Sequence, residues 1–191
     1  MIVRILASIL LLVLAVLAQP RPAWSQAEPV YFEPSVDGTR WLLSTDFDPP
    51  LTARLEEVAS RGIPLHFTVE FELLRPRWYW WPERVFRQSA SRRLAFHPLT
   101  GDYRLSEDGA AAQSYMRLED ALVPIVQLRN WRIELPADLE PGPYLGQVRL
   151  RLDSGQLPKP VRIDALTNRD LYPQAEWKRF PVSIPTKKSA Q

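Results

Sequence analysis

The chain has 191 residues, ordinary globular composition (46% hydrophobic, 24% charged) and no cysteine, so thiol catalysis, iron–sulfur ligation and cysteine-based zinc sites are excluded. Its 19 prolines against 7 glycines disfavour long helices. The formal charge of +2 rests on Arg4 and Arg21, which lie before the first acidic residue. A chain without that leader is neutral, so no nucleic-acid partner is expected.

Met1 to Arg4 gives a short positive start, and Ile5 to Ala18 runs apolar with only Ser8 interrupting. Ser25 and Ala27, with Gln26 between them, fit small-x-small cleavage. This predicts a signal peptide over 1–27, cleaved after Ala27, and a periplasmic or secreted mature protein. The alternative is an inner-membrane anchor over Ile5 to Ala18, although that run is shorter than the ~20 residues of a spanning helix. Membrane contact is expected only through this segment, if it is uncleaved. The rest reads as a single domain over 28–185 and a disordered polar tail over 186–191.

Trp41 and Leu43 alternate with Leu42 and Ser44. Asp46 and Asp48 flank Phe47 beside two prolines, which reads as a turn. Leu51 to Ser60 is a predicted helix, stopped by Gly62. Leu65, Phe67, Val69, Phe71 and Leu73 then alternate with His66, Thr68, Glu70 and Glu72, the pattern of a strand with one buried and one wet face. Leu94 and Phe96 continue the strand signal, and Thr100–Asp102 and Asp108–Gly109 carry turn chemistry. Ser114 to Asn130 predicts a second helix from Leu118, Leu122, Ile125 and Leu128, kinked or split at Pro124. Trp131, Ile133 and Leu135 alternate, as do Val148, Leu150 and Leu152. A loop from Asp153 leads to a further strand over Val161–Asp164. Such a chain predicts a mainly β fold: an antiparallel β-sandwich of immunoglobulin-like architecture with one or two short helices.

Catalytic groups are sparse. His66 and His97 could meet if their strands pair, but a zinc site needs three or four ligands, so no metal and no cofactor are expected. Glu70 and Glu72 share one strand face about 7 Å apart, the range of an inverting glycosidase pair, which makes a hydrolase the second alternative. That chemistry needs one buried acid of raised pKa, and the face reads as wet. No Gly-x-Ser-x-Gly elbow or phosphate loop is present, so no catalytic residue is assigned. Arg149, Arg151 and Asp153 are expected to exchange charges with Arg162 and Asp164 across a hairpin.

The sharpest feature is Arg75–Trp81 (RPRWYWW). In an extended chain Trp78 and Trp80 share one face, and Arg75, Arg77, Tyr79 and Trp81 the other. One aromatic pair is then expected in the core. The other is expected either to carry stacked arginine stems as a cation–π ladder or to form an exposed platform rimmed by arginine.

This block resembles, together with Leu99–Ser106 (LTGDYRLS), Leu128–Trp131 (LRNW) and Val148–Pro160 (VRLRLDSGQLPKP), the proteobacterial exported family called domain of unknown function 4390, whose members are described as proline-rich signal-peptide proteins. The resemblance covers nearly all of the mature chain. It implies an envelope protein and supplies no activity, cofactor or active residue. The sequence therefore points to a non-enzymatic binding or protein-interaction module of the periplasm. Its expected partner is an envelope protein, with the outer domain of a membrane protein as one candidate. A glycan- or lipid-contacting module using the tryptophans is the first alternative.

Overall fold

The alternation at Leu65–Leu73 becomes the centre of the fold. In a computed structural model, which describes residues 30–35, 40–47, 53–107, 110–159 and 176–185, it lies within the strand β3 (Leu65–Arg75). Leu65, Phe67, Val69, Phe71 and Leu73 are all buried, because successive side chains of a strand point to opposite faces.

The remaining strands are β1 (Tyr31–Pro34), β2 (Trp41–Asp46), β4 (Glu83–His97), β5 (Asp102–Glu107), β6 (Gln113–Tyr115), β7 (Gln127–Ile133), β8 (Gly142–Leu152) and β9 (Lys178–Ile184). Two α-helices are described, α1 (Ala53–Ser60) and α2 (Leu118–Val126), with a short 3-10 turn at Ser154–Gln156. The strands form two antiparallel sheets, one in the order β1-β2-β7 and one in the order β6-β5-β4-β3-β8-β9. Along the larger sheet β3 to β6 run as a meander, so neighbours in sequence pair directly.

The inner faces of both sheets share one hydrophobic cluster. Phe32 of β1 stacks on Phe71 of β3 with ring centres 5.3 Å apart, and on Trp41 of β2 at 4.8 Å. Phe180 of β9 joins the group, 5.6 Å from Phe32. A fully buried ring such as Phe71 contributes roughly 1.5–3 kcal/mol. A side-chain clasp also ties the sheets: Gln88 of β4 donates to the carbonyl of Arg132 at 2.7 Å, and its amide oxygen accepts from the N–H of Glu134 at 3.1 Å.

The helix expected over Leu51–Ser60 is present as α1, whose Leu55, Val58 and Ala59 enter the core. The helix expected over Ser114–Asn130 is shorter than its pattern. Leu118, Ala121, Leu122 and Ile125 form the buried stripe of α2, but the ends of the segment are strands. Pro124 removes one backbone donor and crowds the preceding turn, and α2 ends two residues later. Leu128, which fits the helical spacing, is instead an inward residue of β7 with Ile133. Asn130 takes the left-handed φ of 49°, and its N–H is accepted by Ser44 Oγ at 2.9 Å. The β2–β7 register shifts there, as at a β-bulge.

The segment expected as a strand over Val161–Asp164, the leader, the 186–191 tail, Asp48 and the Asp108–Gly109 turn lie outside the described residues. Among the described residues no helix is long and apolar enough to cross a membrane.

Candidate functional site

Pairing of β3 with β4 stops at Arg75↔Glu83. Residues 76–82 form the connection, bracketed by Pro76 and Pro82. Neither proline can donate a ladder hydrogen bond, which ends the hairpin there and leaves the aromatic block as its tip. Arg77 closes the base of the tip through an ion pair with Glu83. Arg75 donates to Tyr144 Oη at 3.3 Å and pairs with Glu140 at 3.2 Å.

The four aromatic residues of the tip all face outward. Trp78 is 94% exposed, Tyr79 64%, Trp80 71% and Trp81 81%. This corrects the expected split between a core pair and a surface pair. That split presumed an extended strand lying on the core, whereas the flanking prolines lift the block beyond the last rung. Trp78 and Tyr79 meet edge to face, 5.1 Å apart at 72°, so these two rings do not form a flat shared platform. Two surface depressions of the described residues, one beside α2 and Arg92 and one beside Glu33 and Arg129, include none of the four.

Behind the tip the outer face of β3 carries Glu70 and Glu72, and here the expected wet face is corrected. The Glu70 side chain is only 2% exposed. Register explains it: Glu70 lies opposite Arg149 of β8 and two residues from Arg151, which faces Thr68, while Glu72 lies opposite Arg87 of β4 and Gln147 of β8. Arg87 donates to Glu70 at 2.7 Å, Arg149 at 2.8 Å and Arg151 at 2.9 Å. Glu72 accepts from Arg84 at 2.9 Å and from Gln147 at 2.8 Å. The guanidinium groups and their stems cover the carboxylates and keep their own outer edges in water.

This burial is the condition that a hydrolase pair would need, but the surroundings reverse its consequence. Burial alone raises the pKa of Glu70. The hydrogen bonds and charges of Arg149 and Arg151 outweigh it, and the net shift is downward. A general acid needs the opposite shift, so Glu70 is held as an ion-pair centre. Arg149 and Arg151 thus find their partner on β3, while Arg162 and Asp164 lie outside the described residues.

The two histidines do not meet. His66 lies opposite Arg93, and His97 opposite Asp102. Four residues of β4 separate the two rungs, about 13 Å at strand rise. His97 Nδ1 instead pairs with Thr100 Oγ1 at 3.0 Å. Among the described residues no group of three His or carboxylate side chains is placed to hold a metal ion. Asp46 pairs with Arg129 at 2.5 Å.

Fold and surface define a mainly β protein of two antiparallel sheets around one core, with an aromatic hairpin tip and an arginine-clamped outer face. Within that class the chain belongs to the family described as Domain of unknown function (DUF4390), whose sequence model matches residues 14–181. No curated protein and no solved structure matches the chain.

Proposed function

We propose that this is an exported, non-enzymatic binding module of a proteobacterial cell envelope, working in the periplasm after loss of its leader, with residues 76–82 as its contact surface. The observation that carries the reading is the exposure of Trp78, Tyr79, Trp80 and Trp81 together at one proline-bounded tip. Aromatic side chains usually serve packing first. A cluster of them in water, rimmed by arginine, has the composition of a docking site. The envelope protein expected as partner and the glycan- or lipid-contacting alternative would use these same side chains. The immunoglobulin-like architecture enters this reading as an analogy of two sheets around one core that display a loop at one end.

The experiment is crosslinking in intact cells from a photoreactive amino acid at Trp80, with one at Ser89 on the exposed part of β4 as control. Adducts formed from position 80 and not from 89 support the tip as the contact surface. Equal or no crosslinking at both positions removes it.

A further inference from the structure

Resting on that reading of the tip, we propose that its occupant is a lipid surface: the aromatic tip enters the headgroup layer of a bilayer rich in anionic phosphates, and the arginines behind it bind those phosphates.

Three observations favour a lipid surface. First, the aromatic residues are three tryptophans and one tyrosine, without leucine, isoleucine or phenylalanine. Tryptophan and tyrosine are the residues that settle at headgroup level, apolar body toward the chains and polar edge toward water. Second, the tip protrudes. It is an unpaired connection beyond the last rung of a hairpin, and the described depressions do not include its rings. A sugar platform asks for rings that offer one shared plane, and Trp78 and Tyr79 stand at 72° to one another. A protruding group of aromatics enters a soft layer without needing a matching surface.

The third observation is the placement of charge. Arg77 is in the tip itself, and Arg84 lies one residue below the Arg75↔Glu83 rung, opposite Leu74. Arg87 lies level with Glu72, three residues below that rung. At strand rise, Arg84 and Arg87 are about 3 and 10 Å below the rung. The headgroup layer on each side of a bilayer is about 5–7 Å thick. An interfacial element sinks about 5–10 Å to the boundary with the acyl chains. Entry of residues 76–82 to that depth therefore brings Arg77 and Arg84 to the phosphates and holds Arg87 just above them. Glu83 and Glu140 are the acids at this end, paired to Arg77 and Arg75. Arg84 is paired to Glu72, whose charge is shared with Arg87. Each guanidinium has five donors, so a single carboxylate contact leaves others for phosphate. This departs from the expectation that membrane contact runs only through an uncleaved N-terminal segment.

The absence of cysteine makes the test specific. A full-length chain carrying Tyr79→Cys is labelled with an environment-sensitive fluorophore, and a second carrying Ser89→Cys serves as control. Each is mixed with phosphatidylcholine vesicles, with and without phosphatidylglycerol. The leader is present in both, so only the label position reports the tip. The expected result is a blue-shifted, brighter signal at position 79 with the anionic vesicles, quenched by a lipid-borne quencher, and no change at position 89. Adding Arg77→Gln with Arg84→Gln should weaken the response about twenty-fivefold, since each basic residue near an anionic surface is worth about fivefold. Replacing Trp78, Trp80 and Trp81 by alanine should abolish lipid-dependent sedimentation beyond that of the leader alone, even at low salt.

A label at position 79 that stays in water with both vesicles overturns the proposal. So does a response that is equal at positions 79 and 89. If the tip then crosslinks to a protein in cells, the binding module stands and its lipid occupant falls. If position 80 does not crosslink above control and position 79 does not enter vesicles, both fall.

Discussion

Arg149 grips Glu70 with two nitrogens, Nε at 2.8 Å and Nη2 at 2.7 Å from the same carboxylate oxygen, while its guanidinium lies 4.2 Å from the ring centre of Trp177. The stack fixes the plane of the guanidinium, and the fork then fixes the carboxylate. Arg87 and Arg151 occupy the other oxygen. A carboxylate on the central strand of the larger sheet is thus neutralised by strands on both sides, and it acts as the electrostatic tie between β4, β3 and β8. Removing it leaves three guanidinium groups facing each other. Glu70→Gln should cost about 2–3 kcal/mol, below the 3–5 kcal/mol of a fully buried pair because the arginines reach water. Arg151→Gln should cost under about 1 kcal/mol, since Arg87 and Arg149 remain. Urea unfolding of the two variants checks the order, and equal small losses would show that the cluster contributes nothing to stability.

Stability should fall with acid in two stages. Burial and the charge of Arg93 lower the pKa of His66 below its ordinary 6.5, against a smaller opposing pull from Asp153. The unfolded chain therefore takes that proton first, and stability begins to decline below about pH 6.5. Glu70 is depressed below its ordinary 4.5 by Arg149 and Arg151, which outweigh its burial. Asp102 is held at about 2 by the hydroxyls of Thr100 and Ser114, with Arg104 adding to them against a smaller effect of burial. Both stabilise the fold above their unfolded pKa values and lose that contribution as pH falls through the folded ones. The steeper decline should therefore run from about pH 4.5 toward pH 2. Melting curves across this range check it, and His66→Gln should remove the upper stage while leaving the lower.

Gly146 sits under an aromatic ring. A Cβ there would stand 2.6 Å from Cε2 of Phe180 and 3.0 Å from a methyl of Val182. Gly146 pairs with Leu73 on one side and Phe180 on the other, and its missing side chain lets the Phe180 ring of β9 lie over the inner face of β8. Gly146→Ala should cost about 1–3 kcal/mol by overpacking. Adding Phe180→Leu should recover part of that loss, and a double variant no better than the single one would place the strain elsewhere.

Period-two alternation made β3 and β8 legible in the sequence, because one face of each is core and the other polar. It also put Glu70 on the outer face correctly. The burial of Glu70 was not legible, since it comes from Arg87 and Arg149, 17 and 79 residues away in sequence, and only strand order brings them together. Most of β4 was hidden for a different reason. Its Arg87–Arg93 stretch is polar or small on both faces and gives no alternation. The Ser114–Asn130 segment misled because Leu128 keeps a helical spacing from Ile125 and α2 while packing as a strand residue. At the tip, Pro76 and Pro82 were the available signal. Two prolines spaced to frame an aromatic run mark a hairpin end more strongly than aromatic alternation marks a strand.

The expected leader gives a separate check. Protein recovered from the cell envelope should begin at Glu28 on N-terminal sequencing, as small-x-small cleavage at Ser25 and Ala27 requires. A start at Met1 would instead favour an anchor over Ile5 to Ala18.

Stability and binding should separate cleanly at the tip. A buried tryptophan replaced by alanine costs about 3–5 kcal/mol, and an exposed side chain with no special role about 0.5 kcal/mol or less. All four aromatic residues of 76–82 belong to the second group by exposure. Their one ring contact in the tip, Trp78 with Tyr79, is worth little in water. Both double variants, Trp78→Ala with Trp80→Ala and Tyr79→Ala with Trp81→Ala, should therefore keep the melting temperature of the parent chain. Phe71→Ala, which removes the fully buried ring beneath Phe32, should lose the full core amount under the same conditions. The measurement is a thermal melt of the three variants beside the parent. A large loss in either tip variant would mean that those rings pack against another part of the chain. The tip would then be a structural element, and its arginines would have no aromatic surface to frame.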